Sequence, residues 1–454
     1  MSVKLLAPFR WSRIVSLTLT IMALAPIAGV SAQDERLPEP VKIEDFQKFY
    51  PARAELGRLL FYDKILSGNR NIACGTCHNH DHGTTDGLSL GVGEGGAGLG
   101  PARKFGEARA FPKKRVPRNA NALFNLGHKD FTVLFHDGRA SLDDSYGNKF
   151  NTPAEEWLPK GLTSLAATQA LFPPTSRTEM AGDPEENEIA ASRRERIDHV
   201  WPKLASRVAS IQDYRERFAR TFPDIADGAR ISMVHVANAI GDFIISEWRS
   251  LDAPFDHYLA GDQDALSPAQ KRGLDLFYGE ARCQTCHTGA LLTDQKFYAL
   301  AIPPFGPGRT RLFDPYARDV GRMGESDLLE DAYRFRTPSL RNVAHTGPWG
   351  HNGAYATLEG IVRHHLDPLT ALDNWDRTQV IMPDAAPFRK TDFVIWDDAY
   401  EMARYRRHVD IEPVSLTDKD VADLLAFLHS LTDEKALRGR LGKPDKVPST
   451  LPVD

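Results

Sequence analysis

The chain has 454 residues, with 56 Lys+Arg against 61 Asp+Glu and a formal charge of −5 at pH 7. That length accommodates two or three domains with real cores, and so even a charge balance gives no ground for nucleic-acid binding. The mixed-sign stretch Arg193-Arg194-Glu195-Arg196 fits a solvated helix face.

Taken from the N-terminus, Lys4, Arg10 and Arg13 precede an apolar run over 14–30, which Pro26 breaks and Val30-Ser31-Ala32 closes with small residues. We read residues 1–32 as a secretory signal peptide, against the alternative of an uncleaved anchor, because the run is near the lower length limit for a span. No later stretch is apolar enough to cross a bilayer, so the mature chain is expected without a membrane span and the periplasm is its expected home.

Leu56, Leu59 and Leu60 form a helical apolar stripe, and Tyr62-Asp63 to Ser67-Gly68 reads as the turn that follows it. All four cysteines then fall into two copies of one pattern, Cys74-Gly75-Thr76-Cys77-His78 and Cys283-Gln284-Thr285-Cys286-His287. Two thiols three positions apart can each add to a haem vinyl group, and the next histidine is held under the iron, so the pattern predicts two covalently bound haem c groups. A zinc site or a redox dithiol is the bland alternative, but neither needs a histidine directly after each pair. The run over 91–100 contains a formal Gly-x-Gly-x-x-Gly without a preceding strand, so it is expected to be a flexible loop rather than a nucleotide cradle.

Ile240, Phe243 and Ile244 mark a long apolar helix before the second motif. Ser267-Pro268-Ala269-Gln270 opens the next helix as a capping box, and Thr417-Asp418-Lys419-Asp420 caps a later one with Val421, Leu424, Leu425 and Leu428 facing the core. Period-two strands are scarce. The expected fold is mainly α, with two cytochrome c-like haem domains over 33–260 and 261–454 divided near Gly261, and long irregular loops over 303–333 and 369–414 of a length that covers a site or a partner surface.

Over nearly all its mature length the chain resembles the bacterial dihaem cytochrome c peroxidase and MauG family. The shared residues are Leu56-Gly57-Arg58-Leu59-Leu60-Phe61-Tyr62-Asp63, Pro117-Arg118-Asn119, Asp137-Gly138-Arg139, Ala253-Pro254-Phe255-Asp256-His257-Tyr258-Leu259, Phe335-Arg336-Thr337-Pro338-Ser339-Leu340-Arg341-Asn342-Val343-Ala344 and His351-Asn352-Gly353. The resemblance implies that Glu179, before Met180, moves a proton between the peroxide oxygens with Gln169 upstream, and that Arg336 stands near the peroxide channel. It makes the His78 haem the peroxidatic one and the His287 haem the electron-receiving one. The distal ligand of the second haem, methionine or tyrosine in relatives, falls by count on His365, which shares an apolar helix face with Leu358 and Ile361; His364, Met382 and Met402 are the other candidates. The family's calcium ion, bound through an asparagine and two backbone carbonyls, would meet Asn119, Thr346 and Pro348 here.

Two departures stand out. Where many relatives place a relay tryptophan the chain has His136, a poorer hole carrier, and where a histidine closes the first haem of some resting peroxidases the count lands on Glu94, which implies an iron open without activation. His80 and His82 sit too close behind the first motif to reach its distal face. The resemblance thus implies a dihaem peroxidase that reduces hydrogen peroxide with electrons from a small periplasmic protein, a cytochrome c or a cupredoxin, as a monomer or homodimer. A MauG-like enzyme that oxidises residues of a partner protein and a non-catalytic dihaem cytochrome are the rival readings.

Overall fold

A computed structural model describes residues 37–106, 115–309 and 318–454; the expected signal peptide over 1–32 lies outside them. Helices dominate, and the sheets among the described residues are three small antiparallel ones of two or three short strands. The mainly α expectation holds. No helix among the described residues is long and apolar enough to cross a membrane. Residues 38–454 form one compact unit.

The Leu56, Leu59 and Leu60 stripe lies on the helix Pro51–Tyr62, which starts on proline and crosses the helix Met233–Glu247 that carries buried Ile240, Phe243 and Ile244. The two backbones touch at Gly57, where a Cβ would lie 1.8 Å from the Ala239 carbonyl oxygen. Gly57→Ala is therefore expected to destabilise the protein by on the order of 3 kcal/mol through forced separation of the helices, measured by denaturant unfolding.

The same crossing recurs in the second half. The helix Pro268–Tyr278 opens on the expected capping box, with the Ser267 amide donating to Gln270 Oε1 at 2.8 Å and the Gln270 amide to Ser267 Oγ at 3.3 Å. It crosses the helix Asp418–His429 at Gly273, where a Cβ would lie 1.9 Å from the Asp423 carbonyl oxygen. Phe61 packs on Phe243 at 5.2 Å between centroids and Phe277 on Phe427 at 5.1 Å. The residues responsible are Gly57-Arg58-Leu59-Leu60-Phe61-Tyr62 and Gly273-Leu274-Asp275-Leu276-Phe277-Tyr278, a repeat outside the haem motifs that the sequence reading missed. On the later helix Val421, Leu424 and Leu428 are buried as expected, whereas Leu425 is half-buried and Phe427 takes the core position.

Two loop expectations change and a third holds. The 91–100 segment is pinned rather than loose: Arg103, itself buried, donates to the carbonyls of Val92, Gly93 and Gly98. The 369–414 region holds much of the helix Pro368–Asp373 and all of Ala399–Tyr405, so it is less irregular than its composition suggested. In the described part of 303–333 regular structure is limited to the single turn Met323–Ser326 and the short 3-10 turn Leu329–Asp331.

Residues 447–454 return to the first half. Val447, Leu451 and Val453 pack into its core, Ser449 Oγ donates to Asp63 Oδ1 at 2.6 Å, and Thr76 and Lys64 both bond the Asp454 carboxylate. Thr76, inside the first Cys-x-x-Cys turn, is fully buried as a result. The corresponding Thr285 of the second motif is exposed.

Candidate functional site

The first motif forms a single helical turn, Cys74–Cys77, tied by the Ala73 amide donating to Thr76 Oγ1 at 2.9 Å. His78 follows it and donates from Nδ1 to the Thr84 carbonyl at 3.0 Å, a bond that fixes the tautomer and leaves Nε2 as the lone-pair nitrogen. Burial lowers the affinity of His78 for a proton, as a neutral ligand requires. Burial also pushes the Cys74, Cys77 and Cys283 thiols up to about 12, far from the low values of a reactive dithiol. Among the described residues no group of three or more His, Cys, Asp or Glu side chains is arranged to hold a metal ion, so the four thiols are not gathered around one zinc.

Cys74, Cys77 and His78 open onto a cavity of about 1320 Å³ including its mouth. Its lining includes apolar Phe61, Ile72, Leu126, Ile240 and Ile244 together with Gln169, Glu179, Arg139, Arg309 and Arg336. A lining that joins apolar side chains to polar ones around a fixed imidazole nitrogen fits a thioether-linked haem. The fold thus brings Gln169, Glu179 and Arg336 into the space beside His78.

Gln169 ends the helix Leu165–Gln169, and Glu179 lies in the π-turn Arg177–Ala181, where the Ala181 amide reaches back five residues to the Ser176 carbonyl at 2.8 Å. Such wide turns recur at functional positions because they displace one side chain from helical register. The turn is braced from behind: a Cβ on Gly93 would lie 2.1 Å from the Thr178 carbonyl oxygen, and the Glu94 amide donates to that oxygen at 3.2 Å. The Glu94 carboxylate accepts from Asn69 and Asn71 at 2.8 and 2.7 Å, and burial raises its proton affinity. Arg336 donates to the carbonyls of Phe135 and Thr337, both at 3.0 Å, and burial brings it down to about 10. His136, at the place of the relay tryptophan, also lines the cavity; burial and the nearby Arg118 hold it down to about 3, so it is a neutral imidazole donating to the Asn119 carbonyl at 3.2 Å.

At the second motif His287 donates from Nδ1 to the Leu292 carbonyl at 3.1 Å, and His365 from Nδ1 to the Ile361 carbonyl at 2.8 Å. The two rings lie 6.4 Å apart between centroids. That is close to the span of two imidazoles facing one metal between them with bonds of about 2 Å. His364 is engaged at both nitrogens, by the Tyr355 hydroxyl at 2.7 Å and the Leu300 carbonyl at 2.6 Å. Met402 packs against the Tyr333 and Tyr405 cluster, and Met382 follows Ile381, whose backbone pairs with Ser89. Of the four candidate distal ligands, His365 is the one aligned with His287.

Asn119 and the 346–348 segment dock on the same stretch after the first motif. Asn119 Nδ2 donates to the Leu88 carbonyl at 2.7 Å, the Gly347 carbonyl accepts from Thr85 Oγ1 at 3.4 Å, and Thr346 Oγ1 donates to the Val343 carbonyl at 3.2 Å; the Gly347-Pro348 peptide is cis. Beside them Arg118 is buried between Asp137 and Asp319.

Two attachment turns, each with a tautomer-locked histidine, on a helix-rich frame define a dihaem c-type haemoprotein. Residues 51–264 match the family described as di-haem cytochrome c peroxidase. The chain is 26% identical over 448 residues to cytochrome-c peroxidase IdrP1 of Denitromonas iodatirespirans, covering 92% of this chain and 93% of that one. It is 28% identical over 317 residues to the methylamine utilization protein MauG of Methylophilus methylotrophus, covering 69% and 72%. Among solved structures it is similar to a MauG-like protein associated with microbial copper homeostasis, at 26% identity and a TM-score of 0.57 over 89% of this chain and 95% of that one. The diheme peroxidase BthA of Burkholderia thailandensis, at 22% identity and a TM-score of 0.52 over 86% and 88%, shares the fold. Residues 51–264 thus match the dihaem cytochrome c peroxidase family, and over most of its length the chain is similar to cytochrome-c peroxidases and MauG proteins.

Proposed function

We propose that the chain is a periplasmic dihaem peroxidase, exported by the signal over 1–32, built as two cytochrome c-like domains over 33–260 and 261–454, and reducing hydrogen peroxide with electrons delivered singly by a small cytochrome c or cupredoxin. The observation that carries this reading is the convergence of Gln169, Glu179 and Arg336 on the cavity entered by His78. When bound, haem supplies the one-electron chemistry of its iron. Glu179 takes a proton from one peroxide oxygen and returns it to the other, so that water rather than hydroxide departs, and the Gln169 amide orients the peroxide through hydrogen bonds. Arg336 lends positive charge to the channel. His287 and His365 would hold the second haem's iron, which would then supply one-electron transfer, and the exposed Thr285 face of that motif is where a donor would approach. Asn119 and the carbonyls of Thr346 and Pro348, with water completing the sphere, are assigned to Ca2+ between the domains; a homodimer is compatible with this arrangement.

Stopped-flow mixing of the dihaem protein with peroxide, with and without reduced cytochrome c, tests the assignment. Turnover with donor oxidation is expected. A long-lived oxidised state without donor would favour the MauG-type reading, which the likeness to MauG and to a MauG-like structure supports, and an inert six-coordinate spectrum would favour a plain electron carrier.

A further inference from the structure

Tyr62 and Tyr278 occupy the same place in the two halves, each five residues after the crossing glycine. Their hydroxyls are treated differently. Tyr278 is buried with no hydrogen-bond partner for its hydroxyl. Tyr62, 2% exposed, bonds His80 Nδ1; His80 Nε2 donates to Glu247 Oε1 at 3.0 Å; and Glu247 also accepts from the amides of Leu441 and Gly442 at 2.7 and 2.8 Å. The chain is built in: a Cβ on Gly439, at φ +71°, would lie 2.2 Å from Glu247 Oε1. The Tyr62 ring in turn lies on the first attachment turn, 2.4 Å from where a Cβ on Gly75 would stand.

From this geometry we infer that Tyr62 is a one-electron redox residue of the first haem site, made oxidisable by a built-in path for its proton. The inference rests on the peroxidase reading, which supplies the oxidant. One electron leaves the Tyr62 ring for the peroxide-oxidised haem; the phenolic proton passes to His80 Nδ1 as the Nε2 proton passes to the Glu247 carboxylate. A neutral tyrosyl radical and a protonated Glu247 result, with His80 returned neutral as its other tautomer. Without such a path the oxidised phenol would hold a positive charge among apolar rings, which burial strongly penalises. Burial raises the proton affinity of Tyr62, so the phenol enters the step protonated; burial also pushes Glu247 up, but His80 and the two amides outweigh it and keep it a carboxylate. Tyr278, lacking a path, is the internal control.

The test is electron paramagnetic resonance of the two-haem protein frozen after mixing with peroxide without donor. A tyrosyl signal is expected, narrowed by ring-deuterated tyrosine and lost in Tyr62→Phe, which keeps the ring over Gly75, but retained in Tyr278→Phe. Glu247→Gln should weaken it several-fold. If the haem spectrum responds to peroxide while the signal is absent or survives Tyr62→Phe, the Tyr62 assignment falls and the peroxidase reading stands. If peroxide leaves both haem spectra unchanged, the peroxidase reading falls and takes this inference with it.

Discussion

Glu179→Gln is expected to leave both haems attached and the fold intact while slowing peroxide cleavage by about a hundred- to ten-thousand-fold, the usual worth of a positioned proton carrier. The amide keeps the size of the side chain in the Arg177–Ala181 turn and can still hydrogen-bond peroxide, but it cannot accept and return a proton. The bracing of that turn by Gly93 and Glu94 does not depend on the carboxylate, since both contacts are to backbone. Stopped-flow spectra of the variant against peroxide give the rate directly, and an unchanged rate would remove Glu179 from the mechanism.

His365→Ala is expected to convert the second haem from low spin to high spin, because the imidazole facing His287 is lost and His364, held by Tyr355 and Leu300, is not free to replace it. His365→Met should instead keep the iron low-spin and raise its potential, since thioether ligation favours the reduced state relative to imidazole. Resonance spectra and a redox titration read the two results. A low-spin signal that persists unchanged in His365→Ala would assign the distal position to another residue.

How far the sequence foretold this molecule varied with the range of the interaction. The haem motifs, the capping box at Ser267 and the stripe on Pro51–Tyr62 are local patterns with fixed spacing, and they were legible directly. The Gly-x-x-Leu-Phe-Tyr repeat was equally local yet went unread, because Gly57 and Gly273 carry no chemistry until their partners Ala239 and Asp423 are seen. The pinned 91–100 segment was misread for a related reason. Its glycines suggested freedom, whereas Arg103, donating to three of its carbonyls, determines its shape. Glu179 was one carboxylate among many by spacing alone and needed the family resemblance to stand out. The Tyr62–His80–Glu247 chain joins residues up to 185 positions apart in number and has no signature in any one window.

The return of residues 447–454 to the first attachment turn bears on assembly. Thr76 and Asp454 are separated by 378 positions, so the contact that covers the first attachment turn forms only after all of that intervening chain has emerged. Thioether ligation at Cys74 and Cys77 therefore has an open window until residues 447–454 arrive and shut it.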